Sequence, residues 1–299
     1  MRLDRRKLVI AAPFAAVGLL GGGLGAVEAG ILPGRRRLTQ AIEGCGPAGV
    51  PPPDRPGPQV RTTFTSAARR RPVTMVVAWP PGHGPTRTTR DSDALPVCLV
   101  LHGLGGNADQ TIVGMGLDRY LAAAVRLGGP PFALAAVDGG GSYWHRRASG
   151  DDPESMIVDE LRPRLSRLGL RTSRIALLGG SMGGYGALLL ARRHPSLVVA
   201  AAASSPAMWR SFSASAPGAF DSAVDFAAHR VLGTPPAPGV SYRIDCGGAD
   251  EFSGVSHTAA ADLRATEHSY GKGCHTTGYW RRVVPAQLAF VGPALARAA

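Results

Sequence analysis

The sequence predicts an α/β protein in which helices cover both faces of a mostly parallel central sheet. Short apolar runs, such as Val97–Leu101 and Phe132–Val137, end in glycine-rich or polar loops, as expected of strands buried on both faces. Helical patterns lie between these runs. Ahead of them, two alternating segments, Val60–Ser66 and Val73–Trp79, predict an antiparallel hairpin. A chain of 299 residues with 44% hydrophobic content is long enough to build one such domain.

The first 29 residues predict an export signal. A basic start containing Arg5 and Arg6 precedes the uncharged apolar stretch Leu8–Val27, a pattern that resembles a twin-arginine leader. The alternative is an uncleaved membrane anchor, since about 20 apolar residues suffice to span a bilayer. A proline and a run of glycines inside the stretch disfavour a spanning helix. Both interpretations place the protein outside the cytoplasm.

Residues 30–58 are rich in proline, glycine and arginine and predict an extended, mobile linker, which leaves residues 59–299 as the folded domain. The net charge of +12 comes almost wholly from arginine. Because the arginine clusters lie in no nucleic-acid-binding motif and are not interleaved with aromatic residues, we expect no nucleic-acid partner. The charge favours solubility, and the basic N-terminal region also suits association with an anionic membrane or cell-wall surface.

The loop after the strand Val97–Leu101 reads His102-Gly103-Leu104-Gly105-Gly106-Asn107. Glycines around Leu104 let its backbone approach a ligand closely, so its N–H is a candidate donor to a developing oxyanion. We expect His102 to be a structural histidine that hydrogen-bonds this loop.

The loop after the next strand supplies candidate lining for a substrate pocket, because strand ends of open α/β sheets face the active crevice. Tyr143 and Trp144 are expected to form an apolar wall, and Arg146 or its neighbour Arg147 could meet a polar headgroup. Residues 206–239, with scattered aromatic side chains, are expected to cap the pocket.

The sequence predicts one further helix before the central motif and one further strand after it. An apolar stripe predicts a helix from Pro153 to about Leu168, which Pro163 should kink or end early. The apolar run Leu197–Ala203 predicts another buried strand.

The sequence motif that organises the chain is Gly-x-Ser-x-Gly at residues 179–183. The apolar run Ile175–Leu178 leads into it, and an Ala/Leu-rich helical pattern follows, which is the strand, turn and helix context of a nucleophilic serine. Ser181 is therefore the candidate nucleophile. The N–H of Met182, the next residue, is the second candidate oxyanion donor.

A serine nucleophile needs a general base, and the base needs an acid that orients it. Asp250 is the first candidate for the acid, because it follows the strand Val240–Asp245 after a Gly-Gly turn. Asp245 and Glu251 rank behind it, and the alternative role of Asp250 is to cap the next helix.

The first candidate for the base is His275, which is predicted to lie on a loop before the last helix. His257 falls in a predicted helix and His268 in the predicted last strand. Both are therefore poorly placed to reach the serine.

Four sequence blocks occur in order: Leu-His-Gly-Leu-Gly-Gly (101–106), Gly-Gly-Ser-Met-Gly-Gly-Tyr-Gly-Ala (179–187), Cys-Gly-Gly-Ala-Asp-Glu-Phe (246–252) and Gly-Cys-His-Thr-Thr-Gly-Tyr-Trp (273–280). They resemble the Putative esterase family, which includes esterase D (S-formylglutathione hydrolase) and the actinobacterial antigen 85 mycolyltransferases, over roughly residues 60–295. The resemblance implies an α/β-hydrolase fold and a serine esterase. It assigns Ser181, Asp250 and His275 to a catalytic triad, and the Leu104 and Met182 amides to an oxyanion hole.

We therefore expect a secreted esterase that acts on small-molecule or lipid esters without a cofactor. The alternatives are an acyltransferase that moves an acyl group to a cell-envelope glycan, and a non-catalytic binding protein of the same fold. We expect no metal site, because no Cys or His pair has zinc-finger spacing. The sequence does not indicate an oligomeric state.

Four cysteines in an exported protein suggest disulfides. Cys246 and Cys274 flank the acid and base loops, which must converge, so we predict a bridge between them. Cys98, inside a central strand, is expected to be a free buried thiol.

Overall fold

The computed structural model describes residues 44–86 and 94–298. Within them, eight strands form one sheet in the order β1-β2-β4-β3-β5-β6-β7-β8. The strands are β1 (Gln59–Ser66), β2 (Arg71–Ala78), β3 (Leu95–Leu101), β4 (Ala133–Val137), β5 (Leu170–Gly180), β6 (Val198–Ser204), β7 (Ser241–Gly247) and β8 (Glu267–Gly271).

The sheet is mostly parallel. β1 and β2 form the expected antiparallel hairpin, in which Phe64 pairs with Val73, and β2 also runs antiparallel to β4. The other neighbouring strands are parallel. The predicted fold class and the predicted hairpin are therefore confirmed.

Helices cover both faces of the sheet. The α-helices are α1 (Leu117–Arg126), α2 (Pro153–Ser155), α3 (Arg162–Arg167), α4 (Met182–Arg193), α5 (Ala223–Ala228), α6 (Ser253–Asp262) and α7 (Thr277–Arg297). Side chains of α1 and α7 pack with one apolar cluster, whereas side chains of α3, α4 and α6 pack with a second cluster on the other face.

Strand β3 shows why its sequence has no polar alternation. Val97, Leu99 and Leu101 belong to one cluster, and Cys98 and Val100 belong to the other. Every residue of this central strand from Val97 onward is buried, as the apolar run predicts. Cys98 is the free buried thiol that was expected, and burial raises the pKa of its thiol.

The helix predicted from Pro153 to about Leu168 is present, but Pro163 does not end it. A π-helical segment, Met156–Leu161, joins α2 to α3, and the N–H of Arg162 bonds the carbonyl of Ile157, five residues back. Because proline has no N–H to donate, the wider turn just before it accommodates the missing bond without breaking the helix.

The segment between β6 and β7, residues 205–240, is largely irregular. It contains a short 3₁₀ helix, Phe212–Ala214, and α5. His145 fastens it to the loop after β4, since the His145 ring contacts the Ala219 carbonyl through Nε2 at 3.1 Å and stacks on His229 at 4.2 Å.

The prediction of a mobile linker is wrong for the part that the structure describes. Residues 44–58 lie against the domain, where the N–H of Gly49 donates to the carbonyl of Gly278 over 2.7 Å and Cys45 forms a disulfide with Cys274. This segment is therefore part of the folded unit. The predicted export signal and the first part of the linker lie outside the described residues. Among those that are described, no helix is both long and apolar enough to cross a membrane.

Candidate active site

Ser181 lies at a sharp turn between β5 and α4. Its φ of 55° and ψ of −122° lie in a backbone region that L-residues rarely adopt. The flanking glycines make the turn possible. A Cβ on Gly183 would lie 1.9 Å from the carbonyl oxygen of Leu101, and a Cβ on Gly179 would lie 2.3 Å from the carbonyl oxygen of Gly183. The glycines thus allow the backbone packing that holds the serine at the carboxyl end of the sheet.

The structure brings together the three side chains predicted as nucleophile, base and acid. Nε2 of His275 lies 2.9 Å from Oγ of Ser181, and Nδ1 of the same ring lies 2.9 Å from Oδ2 of Asp250. The Asp250 side chain is fully buried, whereas that of His275 is partly exposed. With Nδ1–H donating to the carboxylate, Nε2 is left to accept a proton from the serine hydroxyl.

Backbone contacts between two loops place Asp250 beside His275. A Cβ on Gly247 would lie 2.2 Å from the carbonyl carbon of Gly273, so the acid loop and the base loop touch through glycines. The N–H of Ala249 donates to the carbonyl of Gly273 over 2.9 Å. Asp250 also accepts a bond from the N–H of Phe252, which fixes the carboxylate within its own loop.

Of the three candidate acids, Asp250 is the one whose contact with His275 the structure shows. Asp245 is fully buried within β7 and takes two bonds from the guanidinium of Arg243, at 2.8 and 3.0 Å. Glu251 is exposed at the edge of a cleft.

Aromatic rings hold the imidazole of His275 from two sides. Phe252 lies 5.3 Å away and Trp280 lies 5.1 Å away, both edge-to-face. The indole N–H of Trp280 donates to Oγ of Ser205. Sequence reasoning did not single out Trp280, although it ends the block that contains His275.

The alternative histidines lie away from the serine, in the elements predicted for them. His257 belongs to α6 and His268 to β8. Their rings contact Tyr270, at 3.6 Å and 5.2 Å.

The loop after β3 lies against the serine. A Cβ on Gly103 would come within 3.6 Å of Cβ of Ser181, and the neighbouring Leu104 is 63% exposed and lines the clefts on both sides of the serine. Met182 is the first residue of α4, where a backbone N–H has no acceptor within the helix. Both predicted oxyanion donors therefore belong to segments that border Ser181.

His102 is a structural residue, as expected. Its Nδ1 lies 2.8 Å from the carbonyl of Gly103, and its Nε2 accepts the N–H of Gly139 over 2.8 Å. Burial lowers the pKa of this histidine, which keeps the ring neutral so that it can accept one bond and donate the other.

Two clefts meet at Ser181 and His275. The larger, of about 660 Å³, runs between the carboxyl ends of β3, β5 and β6 and the start of α7. The second, of about 510 Å³, has an aromatic wall formed by Tyr143, Trp209 and Phe252. Residues 207–210, 214 and 216 of the predicted cap line this second cleft. Ser181 is therefore bordered by two separate spaces.

The family model described as Putative esterase matches residues 66–291, which is more than half of the chain. The chain belongs to this esterase family. No curated protein matches the sequence.

Solved structures of esterases share the family fold. A ferulic acid esterase aligns with a TM-score of 0.66 at 19% identity, over 81% of this chain and all of that one. An S-formylglutathione hydrolase from Agrobacterium tumefaciens gives 0.61 at 17%, over 79% and 95% of the two chains. A ferulic acid esterase from Anaeromyces mucronatus, in complex with ferulic acid, gives 0.61 at 17%, over 81% and 93%. As a member of this esterase family, the protein is a carboxylic ester hydrolase.

Of the three predicted pocket residues in this esterase, the structure places one in a cleft. Tyr143 lines the second cleft. Trp144 is fully buried beneath it and donates its indole N–H to the carbonyl of His102, so it supports the loop instead of forming a wall. Arg146 is exposed and lines neither of the two clefts, while its neighbour Arg147 is bound to Asp221.

The predicted disulfide between Cys246 and Cys274 is wrong. Cys274 pairs with Cys45, and Cys246 is a free buried thiol in β7 whose pKa burial raises to about 12. The acid and base loops do converge, but glycine contacts hold them together. The bridge instead fastens the segment before β1 to the residue that precedes His275.

Proposed function

We propose that this esterase hydrolyses carboxylic esters through Ser181 as nucleophile, His275 as general base and Asp250 as the acid that orients the base. The observation that carries the proposal is the continuous chain of two 2.9 Å contacts from Ser181 through His275 to Asp250. The strained backbone of the serine and the glycines around it support the same assignment, because they present Oγ at the junction of the two clefts.

In the proposed reaction, Oγ of Ser181 attacks the ester carbonyl carbon while Nε2 of His275 takes its proton. The carbonyl electron pair moves to oxygen, and the N–H groups of Leu104 and Met182 stabilise that oxyanion. The intermediate then expels the alcohol, which receives the proton from His275, and leaves an acyl-serine. Water attacks the acyl-serine in the same way and releases the acid.

The test is hydrolysis of p-nitrophenyl butyrate by the wild type and by Ser181→Ala. We expect the substitution to lower kcat by at least about 10³-fold, because it removes the atom that forms the covalent intermediate. Asp250→Asn should lower kcat by about 10⁴-fold with KM nearly unchanged, because an amide favours the wrong tautomer of the base. Turnover that persists in Ser181→Ala would contradict the proposal. Tight glycan binding without turnover would favour a binding protein.

Acyl transfer is the second candidate, and the presence of two clefts at the serine supports it. If the alcohol has left, a sugar hydroxyl in the vacated cleft could attack the acyl-serine in place of water. Product analysis with and without trehalose distinguishes the two outcomes, because transfer yields an acylated sugar and hydrolysis yields only the free acid.

We also propose that the protein is exported. The twin-arginine pattern of residues 1–29 supports this, and so does the Cys45–Cys274 disulfide, since structural disulfides persist in oxidising compartments. Fractionation of cells that express the full chain should recover it outside the cytoplasm, and replacing Arg5 and Arg6 with lysine should retain it inside.

A further inference from the structure

The floor of the larger cleft contains two buried polar side chains. Gln287 of α7 is 1% exposed and Ser204 of β6 is 2% exposed, and both line the cleft. The cleft wall around them is apolar and includes Val100, Leu178 and Val284. The backbone of Ser204 also accepts the N–H of Ser181 over 2.9 Å, so this floor adjoins the nucleophile.

The contacts of Gln287 fix the orientation of its amide. Nε2 lies 2.9 Å from Oδ2 of Asp245 and 2.7 Å from Oγ of Ser204. The Asp245 carboxylate is bound by Arg243 and by the hydroxyl of Ser269, so it can only accept from the amide. The nitrogen must therefore face Asp245, and both N–H groups of Gln287 are used.

This orientation leaves two hydrogen-bonding groups on the floor of the larger cleft without a partner, one acceptor and one donor. Among the hydrogen bonds of the described residues, none is donated to Oε1 of Gln287, and Oγ of Ser204 takes part only as the acceptor from Gln287. Buried polar groups in folded proteins are nearly always paired. The floor thus presents one acceptor and one donor, side by side, within an apolar cleft.

A hydroxyl group is the ligand that satisfies both, because it accepts one bond and donates another. We propose that Gln287 and Ser204 bind a hydroxyl group on the arm of the ester that enters the larger cleft, and that they select hydroxylated esters over their plain aliphatic analogues. This inference rests on the proposed function, since the selected arm is defined by the ester bond held at Ser181.

The experiment compares kcat/KM for matched esters that differ only in a hydroxyl group. One series places the hydroxyl group on the acyl side. It compares p-nitrophenyl hexanoate with p-nitrophenyl 6-hydroxyhexanoate, and makes the same comparison for pairs with shorter acyl chains. The other places it on the alcohol side, with hexyl acetate against 6-hydroxyhexyl acetate. In the wild type, the hydroxylated ester of one series should be favoured by about tenfold, the size of one hydrogen bond.

Gln287→Leu and Ser204→Ala should each lower that ratio to near one. Gln59→Leu is the matched control, because Gln59 also donates to a carboxylate, that of Asp118 over 2.7 Å, but lies on β1 away from the cleft. It should keep the wild-type ratio. If Gln287→Leu does not fold, as judged by circular dichroism, Ser204→Ala carries the test.

A wild-type ratio near one in both series would overturn the inference, and so would an unchanged ratio in Ser204→Ala. Either result could occur while p-nitrophenyl butyrate turnover still depends on Ser181, in which case the proposed function stands and only the hydroxyl site fails. Turnover that does not need Ser181 would remove both.

Discussion

The backbone conformation of Ser181 depends on neighbouring glycines, whose lack of a side chain leaves room for close backbone packing. With φ at 55° and ψ at −122°, the serine occupies a strained region that costs about 1–3 kcal/mol. Neighbouring backbone offsets this cost. The N–H of Ser181 bonds the carbonyl of Ser204, and its carbonyl accepts the N–H groups of Tyr185 and Ala207. The same turn also packs closely against the loop after β3, because Gly183 has no Cβ to meet the carbonyl oxygen of Leu101.

Gly183→Ala tests this dependence. Its Cβ would lie 1.9 Å from the carbonyl oxygen of Leu101, a contact with rigid backbone, so we expect a loss of about 1–3 kcal/mol or more in unfolding free energy and a large loss of esterase activity. Gly254→Ala is the control, because that helical glycine has open space around it. It should be neutral or stabilise by up to about 1 kcal/mol. Urea unfolding and p-nitrophenyl butyrate turnover measure both effects, and equal stability of the two variants would contradict the argument.

The segment of residues 44–58 is attached to the domain by a disulfide whose second cysteine directly precedes His275, the proposed base. The Cys45–Cys274 disulfide spans 229 positions of sequence, and the loop of His275 begins at its second cysteine. Cys45→Ser should therefore lower the unfolding free energy by about 2–5 kcal/mol. It should also lower kcat more than it changes KM, because the base loop loses one attachment. Thermal unfolding and steady-state kinetics provide the measurements.

The control for that prediction is to treat both the wild type and Cys45→Ser with a reductant. Dithiothreitol should reduce the melting temperature of the wild type and leave Cys45→Ser unchanged, since Cys98 and Cys246 are already free thiols. A Cys45→Ser protein with the stability of the wild type would show that the bridge contributes nothing.

The strands and the convergence of the three candidate site residues could be predicted because their signals are local. Apolar runs mark β3 to β6, and Ser181, Asp250 and His275 each sit in a short motif after a strand. The cysteine pairing could not be predicted, because it depends on the path of residues 44–58 across the domain. The inward direction of Trp144 was also hidden. It follows from positive φ angles at Tyr143 and Trp144, of 54° and 61°, which nothing in the residue types indicates.

At the scale of the whole molecule, stability should depend on pH through two buried histidines. Burial lowers the pKa of His145, and nearby His229 lowers it further. Burial also lowers the pKa of His102. In the unfolded chain both rings bind a proton near pH 6.5, whereas the folded protein keeps them neutral to lower pH. The stabilisation is therefore fully present above about pH 6.5 and is lost as the pH falls toward the folded-state values.

His145→Gln isolates the contribution of the ring that fastens residues 205–240 to the loop after β4. The free energy of urea unfolding of the wild type should be lower at pH 5 than at pH 7.5, and the difference should shrink in the variant, because one fewer buried imidazole is left to protonate on unfolding. His257→Gln, at an exposed position of α6, controls for the loss of a histidine and should keep the wild-type difference. If His145→Gln also keeps it, His145 does not contribute to the acid sensitivity of the fold.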